Sequence, residues 1–588
     1  MKRRMLGAVM STLVWLTVLA APVAAVGGSG DEPLFHMAVL GDRTGGHVPG
    51  VYERVIDEIN LLSPDLVVTV GDHIEGYGDD LRLIRAEWDS LLPVIGRLRA
   101  PVHMTPGNHD IWSDAAEPVY AEMTGQKPYS SFDYKGVHFV ILDTGRWESA
   151  EELPAAQMEW LEADLAANAG AARTFVFFHK PYWEQRLPAG RPDALHDLFV
   201  KHGVDAVFNG HYHTTITERF DGIDYTVVGS SGAGMEHADG SVPRGEFYQF
   251  GWVTVWPDEH QIAIVDLGGV YPFGVVTEAV REEIARVESA QVSVTPVPVY
   301  ENASAGAEVV VAVANSSPEA VDDVLVWTVP DGWVVDPIET RVVVAPGATE
   351  RYSFKALNPG ALYPTPSLSF AYPMADGRTL DVEVPLRAVR TATAARCDAP
   401  PRVDGVLDDP CWLAAGAISS LFAPYAETVE GDTRVAFAYD AENLYVSAAC
   451  ADPAADRLVA AVSDRDGAVY GEDCVGFFIQ PDLDVATVFQ IYWNALGTAF
   501  DQTISFSEAM SYSTDRAWDG EYDAVAVRGG DGWVLEARVP LSSIGGKAEP
   551  GAAWGLNFRR KQARTGASAD WQVPIDYNPQ SFGRLVFR

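Results

Sequence analysis

The hydrophobic pattern of the first half of the chain has a recurring form, in which short apolar runs stop abruptly at a polar residue able to hold a metal. Residues 35–40 are apolar and lead into Gly41-Asp42, and residues 66–70 lead into Gly71-Asp72. Residues 101–104 precede Pro106-Gly107-Asn108-His109-Asp110. Residues 174–178 stop at His179, and residues 204–208 run into Asn209-Gly210-His211-Tyr212-His213. Runs of this length, rich in Val, Phe and Ile and bounded by Gly or Pro, predict buried strands. Between them the period changes. Leu81, Ile84, Trp88, Leu91, Ile95 and Leu98 recur at helical spacing, and further helices are predicted over 50–62, from Pro154 onward and over 192–202. The alternation of strand and helix predicts an α/β core. After His213 it gives way to strands at 215–220, 223–228, 252–256 and 262–265, closed by a helical tail at 278–288.

Beyond residue 290 the pattern becomes β throughout. Residues 308–314, 321–328, 341–344 and 351–356 alternate as strands buried on one face, with Pro at turns and no helical segment. They predict an immunoglobulin-like β-sandwich over 290–390, with a spacer role. Residues 393–588 form a further β-rich unit. No solenoid or propeller repeat is present.

Length and composition narrow the class. A chain of 588 residues exceeds one hydrophobic core, and a hydrophobic content of 47% with 16 Trp excludes a disordered protein. Lys2, Arg3 and Arg4, the apolar stretch 13–19 and Val23-Ala24-Ala25 have the charge, apolar and small-residue order of a secretory signal peptide, assigned to 1–25. Export to the periplasm or the extracellular space is therefore expected, without a stable membrane anchor. A net charge of −40 argues against nucleic acid as a partner. It leaves a small phosphoester open, because bound cations would dominate the local field. The four Cys (Cys397, Cys411, Cys450, Cys474) permit two disulfides in any of three pairings, and their spacing matches no zinc motif.

Asp, Asn and His collected at strand ends suit a pair of divalent ions. Carboxylate oxygen can bridge, imidazole holds one ion firmly, and Asn adds a neutral oxygen. Two such ions ~3.5–4 Å apart bind a bridging hydroxide and clamp the oxygens of an in-line displacement at phosphorus. The residue set points to phosphoester hydrolysis.

Asp42, Gly71-Asp72, Gly107-Asn108-His109-Asp110, His179 and Gly210-His211-Tyr212-His213 resemble, in order and spacing, the five motifs of the calcineurin-like metallophosphoesterases over residues 35–280. The resemblance implies a four-layer α/β/β/α sandwich, with domain bounds 33–285, and two divalent ions (Fe, Mn or Zn). It implies Asp72 as the bridge, Asn108, His179 and His211 around one ion, and Asp42 and His213 around the other. His109, with Asp110 beside it, is implied as catalytic, His109 being the general acid for the leaving oxygen. Many members carry Asp-x-His in the first motif, whereas here Thr44 takes the His position. Glu75, three residues after Asp72, is the nearest replacement. In the purple acid phosphatase branch a Tyr ligand stands at that offset, and in the protein-phosphatase branch an Asp there pairs with the catalytic His, so Glu75 is either a metal ligand or the partner of His109. Arg43, His47 and Trp183 are candidate substrate residues, and Trp112, Tyr182, Arg186 and Tyr212 candidate pocket walls. Lys180 reads as solvated, and His103, His138 and His202 as structural.

Residues 393–588 resemble the family 9 carbohydrate-binding modules through Asp404-Gly405-Val406-Leu407-Asp408-Asp409-Pro410-Cys411-Trp412 and Trp554-Gly555-Leu556-Asn557-Phe558-Arg559-Arg560. That implies a C-terminal β-sandwich and a glycan partner. Trp412, Trp533 and Trp554 read as core, and Trp493, Trp518 and Trp571 as candidates for an aromatic sugar platform. The expected function is an exported two-metal phosphomonoesterase or phosphodiesterase directed to glycan. The alternative is a secreted glycan-binding or adhesion protein with a structural metal site.

Overall fold

The structure, a computed structural model, describes residues 32–78, 80–235, 241–300, 306–358, 362–419, 421–423, 428–506, 512–573 and 578–588. The predicted signal segment 1–25 lies outside the described residues. The chain divides into two compact units between Ala285 and Arg286.

In the first unit the predicted alternation is realised as β1 (Phe35–Leu40), α1 (Val51–Leu62), β2 (Leu66–Thr69), α2 (Leu81–Ile95), β3 (Val102–His103), α3 (Ala116–Thr124), β4 (Ser130–Tyr134), β5 (Val137–Ile141), α4 (Ala155–Ala167), β6 (Arg173–Phe177), α5 (Ala194–His202) and β7 (Ala206–Asn209). Then come β8 (Ile216–Phe220), β9 (Ile223–Val227), β10 (Gln249–Val255), β11 (His260–Asp266), β12 (Val270–Pro272) and α6 (Glu278–Arg286). Helix α3 and strand β4 are absent from the sequence reading. Only Ala116, Val119 and Tyr120 of α3 are buried, too few to set a visible period.

The strands form two six-stranded sheets, ordered β12-β11-β10-β1-β2-β3 and β4-β5-β6-β7-β9-β8. Strands β1, β2 and β3 run parallel, as do β5, β6, β7 and β9. Helices α1, α2, α4 and α5 supply the return path that parallel pairing requires along β1-β2-β3 and β5-β6-β7, while β8 makes the return between β7 and β9. One apolar cluster joins Met37, Val39 and Val68 of the first sheet to Phe139, Phe177 and Phe208 of the second. Another packs Tyr52, Ile56 and Trp88 of α1 and α2 on the first sheet. A third packs Leu161, Leu165 and Phe199 of α4 and α5 on the second sheet. The strands β1, β2, β3, β6 and β7 thus end on one side with their motif residues next in sequence. In parallel α/β sheets, ligands bind outside the carboxyl ends of the strands.

The second unit is β-rich. Sheets of four strands hold Ala307–Ala314 and Thr349–Leu357 on one side, and Val321–Thr328 and Ser367–Pro373 on the other. Trp327 meets Phe354 edge-on across them at 5.6 Å. A 13-stranded sheet then takes up most of the remainder. Its core draws Val435, Phe437 and Leu444 together with Phe477, Ile491 and Leu556, so the sheet folds over on itself. Glu536, fully buried, accepts from the Asp404 and Gly405 N–H groups and from the Trp412 indole, which fixes the opening motif of this module. Trp412, Trp533 and Trp554 are core, as expected. Trp493 and Trp571 correct the platform expectation. Both are fully buried, and Trp571 stacks on Phe558 at 5.4 Å, leaving no ring face for a sugar. Trp518 is half-buried against Phe489. All four cysteines are free thiols, and Cys397 and Cys411 pack in one cluster.

Candidate metal centre

Backbone geometry at the strand ends is unusual. Asp72, Tyr77, His211 and His213 have φ of 55°, 56°, 79° and 56°, left-handed values that non-glycine residues avoid. Such strain collects at functional sites, where surrounding structure holds it in place. Close approach explains two of the motif glycines. A Cβ on Gly107 would stand 2.1 Å from Asp72 Oδ1, and one on Gly210 would stand 2.1 Å from Asp42 Oδ1. Only glycine lets these carboxylates come so near the neighbouring loop.

The turns are tied to one another. The N–H groups of Arg43 and Thr44 both donate to the Asp72 carbonyl, at 3.1 and 3.2 Å. The His211 N–H donates to Asp42 Oδ2 at 2.7 Å, and the His109 N–H to Asp72 Oδ1 at 2.9 Å. The imidazoles are oriented by backbone carbonyls that accept only. His179 Nδ1 donates to Val70 O at 2.8 Å, His213 Nδ1 to Gly234 O at 2.8 Å, and His109 Nδ1 to Glu75 O at 2.6 Å. Each contact fixes the tautomer and leaves Nε2 facing the centre, as metal-binding imidazoles require. His179 Nε2 lies 3.1 Å from Asp72 Oδ2, His213 Nε2 3.5 Å from Asp42 Oδ2, and His109 Nε2 4.0 Å from Asp72 Oδ2. Ligand atoms of Asp72, His179 and His211 lie within 4.8 Å of one another.

The donor set fits cations. Asp42 Oδ1 and Asn108 Oδ1 are buried without a hydrogen-bond partner, an arrangement that costs free energy unless something else binds them. The charges conflict in the same way. Burial, reinforced by Asp72, pushes the Asp42 carboxyl well above the usual range despite the facing His179. Burial works to lower the His179 imidazole, but the Asp72 and Asp42 carboxylates outweigh it and push it up to about 9. Burial, with the charge of His179, takes His211 down to about 3. At Asp72 burial acts upward, and His179 and His109 overcome it, so this carboxyl lies below its ordinary value. Positive charge among these groups would stabilise the buried Asp42 and Asp72 carboxylates and favour the neutral imidazoles of His179 and His211 that can act as donors.

The remaining candidates fall into different places. Asp110 does not face His109. Its Oδ1 accepts from the N–H of His73 at 2.9 Å, and its Oδ2 accepts from Gly107 at 2.8 Å and lies 2.8 Å from His73 Nδ1. Both oxygens are spent on holding the Asn108 loop against the Asp72 loop, which corrects the catalytic reading of Asp110. Trp183 is likewise corrected. It is 2% exposed, packs on Tyr225 at 4.9 Å, and donates its indole N–H to Asn209 Oδ1 at 2.7 Å, so it is core. Lys180 is buried, not solvated, and donates to Trp147 O and Glu148. His138 is structural, bound between Asp133 and Asp164.

Arg43 is half-buried and donates to His73 O at 3.0 Å. His47, also half-buried, gives its N–H to Glu75 Oε1 at 3.4 Å. Glu75 meets His109 through its carbonyl, while its carboxylate faces the loop of Thr44 and His47. Burial acts to raise that carboxyl, and the Thr44 hydroxyl, the His47 N–H, His109 and Arg43 outweigh it and hold it low. Sequence reasoning missed Tyr77. Its hydroxyl accepts from Asn108 Nδ2 at 2.7 Å, and its ring stands edge-on to His109 at 4.7 Å and 6.0 Å from Trp112. Nothing in the motif spacing marks it, because its place depends on the left-handed turn.

Strand-end Asp and His ligand atoms within 4.8 Å of one another, with unpartnered Asp42 and Asn108 oxygens in the adjoining turns, define a metal-dependent phosphoesterase type of centre. Residues 36–215 match the calcineurin-like phosphoesterase family, and residues 403–587 match the carbohydrate family 9 binding domain-like family. The first unit therefore carries a calcineurin-like phosphoesterase domain, and the second a family 9-like module. Among curated relatives, a serine/threonine-protein phosphatase CPPED1 of Bos taurus is 27% identical over 31% of this chain and 64% of its own length. Purple acid phosphatase 15 of Arabidopsis thaliana is 28% identical over 34% of this chain and 47% of its own length. The chain thus spans less than two thirds of these relatives. A solved carbohydrate binding module family 9 from Caldicellulosiruptor kristjanssonii, in complex with cellotriose, is 21% identical over 34% of this chain and 93% of that one, with a TM-score of 0.24. No helix among the described residues is long and apolar enough to cross a membrane.

Proposed function

We propose that the protein is an exported phosphoesterase that uses two divalent ions to hydrolyse a phosphomonoester or phosphodiester. In this reading the first unit is a four-layer α/β/β/α sandwich over 33–285. Residues 290–390 are an immunoglobulin-like spacer, and 393–588 bring the enzyme to glycan. One observation carries the proposal: ligand atoms of Asp72, His179 and His211 lie within 4.8 Å of one another, while the buried Asp42 Oδ1 and Asn108 Oδ1 have no hydrogen-bond partner. Asp72 would be shared by both ions, with Asn108, His179 and His211 holding one and Asp42 and His213 the other. Such ions, when bound, polarise phosphoryl oxygens and provide a nucleophile at neutral pH. His109, braced by Glu75 O, keeps Nε2 toward the site and passes a proton to the departing oxygen. Arg43 and His47 flank the first-motif turn and steady the phosphate. The test is hydrolysis of a panel of phosphomonoesters and phosphodiesters by the purified protein, with and without chelator. Turnover of no panel member would remove the proposal.

Two residues sharpen it. Thr44 leaves the Asp42–His213 ion a ligand short, and the Glu75 carboxylate lies against that position. Glu75→Gln is expected to lower the content of one ion and to recover activity in excess metal. His109 keeps its brace, which is a backbone carbonyl. Elemental analysis beside the rate at saturating metal checks this, and two retained ions with full activity would contradict it. Tyr77 fixes which end of the Asn108 amide faces inward. Tyr77→Phe frees that amide to turn, and metal affinity is expected to fall by about 10–100-fold, the usual effect of losing a group that orients a ligand. Competition with a chelating dye reads the change, and unaltered affinity would contradict it.

A further inference from the structure

A cleft of about 290 Å³ opens beside His211, lined by Glu148, Lys180, Gln185, Arg186, Arg191 and Tyr212 among others. It is small for a ligand site and its donors are polar. Two of its three cations are already matched. Lys180 Nζ lies 2.6 Å from Glu148, and Arg186 2.5 Å from Glu151. Arg191 differs. Its guanidinium donates to the Gln185 carbonyl at 2.6 Å, and no carboxylate among the described residues pairs with it. Leaving this charge unopposed is notable in a chain with 82 acidic and 42 basic residues, where a neighbouring carboxylate is easily come by.

The loop that presents Arg191 is braced. Trp183 anchors its start in the core, Leu187 packs on the same cluster, Gly190 turns back with φ of 65°, and the Arg191 N–H donates to Arg186 O at 2.8 Å. This bracing fixes the backbone that carries Arg191, while its guanidinium stays exposed and can swing onto an oxyanion in the cleft, pairing through its planar fork. In a strongly acidic chain it also offsets the repulsion of an anionic substrate.

We propose that the cleft is a substrate subsite for a second oxyanion, so that the preferred substrate is a phosphomonoester whose alcohol portion carries a further carboxylate or phosphate that pairs with Arg191. This rests on the phosphoesterase reading. The experiment compares kcat/KM of the full chain on glycerol 3-phosphate against 3-phosphoglycerate, the carboxylate arm, and on glucose 6-phosphate against glucose 1,6-bisphosphate, the phosphate arm. The doubly anionic member of at least one pair is expected to be favoured by about tenfold or more, the usual scale of a charged hydrogen bond, mainly through KM. Arg191→Gln brings that ratio toward one, and Arg191→Lys, which keeps the charge without the planar fork, retains part of it. A wild-type ratio of one or less in both pairs, or an undiminished ratio in Arg191→Gln, overturns the subsite and leaves the phosphoesterase reading standing. Hydrolysis of none of the four esters overturns the subsite. Whether the phosphoesterase reading falls with it is decided by the broader panel of monoesters and diesters.

Discussion

His109→Ala is expected to slow hydrolysis of an alkyl phosphate by about 10²–10⁴-fold, the range of general acid catalysis, while the bound metal stays. The geometry separates these two effects. His109 and His213 are equally exposed, at 21% of the side chain, but His109 Nε2 stands 4.0 Å from the nearest carboxylate, Asp72, against 3.5 Å for His213 and Asp42 and 3.1 Å for the buried His179 and Asp72. His109 Nδ1 is committed to Glu75 O at 2.6 Å, so Nε2 is the nitrogen that faces a leaving group. Removing the ring deletes a proton donor and leaves the ligand atoms of Asp72, His179 and His211 together. The loss should shrink for a nitrophenyl ester, whose leaving oxygen needs little protonation. Rates on the two ester types, with metal content measured alongside, check this. Loss of metal in the variant would show that His109 is a ligand.

Asp72→Asn is expected to do more. Asp72 is buried and carries the carboxylate nearest both His179 and His109. Asn has the same shape and is among the residues that tolerate left-handed φ, so the turn at 55° survives the change. Only the negative charge is lost, and with it the group proposed to be shared by both ions. Metal-derived stabilisation is worth several kcal/mol, so the rate should fall by about a thousandfold or more, with both ions depleted. Far-UV circular dichroism should be unchanged. A variant that keeps two ions and most of its rate would displace Asp72 from the centre of the site.

The strand-end pattern made much of this legible. Buried parallel strands read as continuous apolar runs, so their ends were visible and the polar residue after each was conspicuous. Elements with little buried surface, such as α3, left no such trace. Side-chain direction was also hidden. Asp110 follows His109 directly, yet the tight turn after Gly107 sends it to His73. Trp183 sits in a motif-adjacent loop, yet the indole finds Asn209 and Tyr225 in the core. Glu75 reaches His109 through its carbonyl, a group every residue has, so no residue type at that position could announce it. Tyr77 depends on a left-handed turn for its contact with Asn108. In the C-terminal module, tryptophan content signalled aromatic mass but not which rings face outward, and Trp493 and Trp571 face inward.

Metal titration of the chelated protein, with bound metal and hydrolysis rate followed together, tests the central claim most directly. The grouped ligand atoms of Asp72, His179 and His211, with the unpartnered Asp42 Oδ1 and Asn108 Oδ1, lead to the expectation that ions bind there and that turnover depends on them. The expected result is no hydrolysis without metal, uptake of two ions per chain, and a rate that rises as the second ion binds. Hydrolysis that persists in the metal-free protein, or a protein that takes up no metal, would contradict the account.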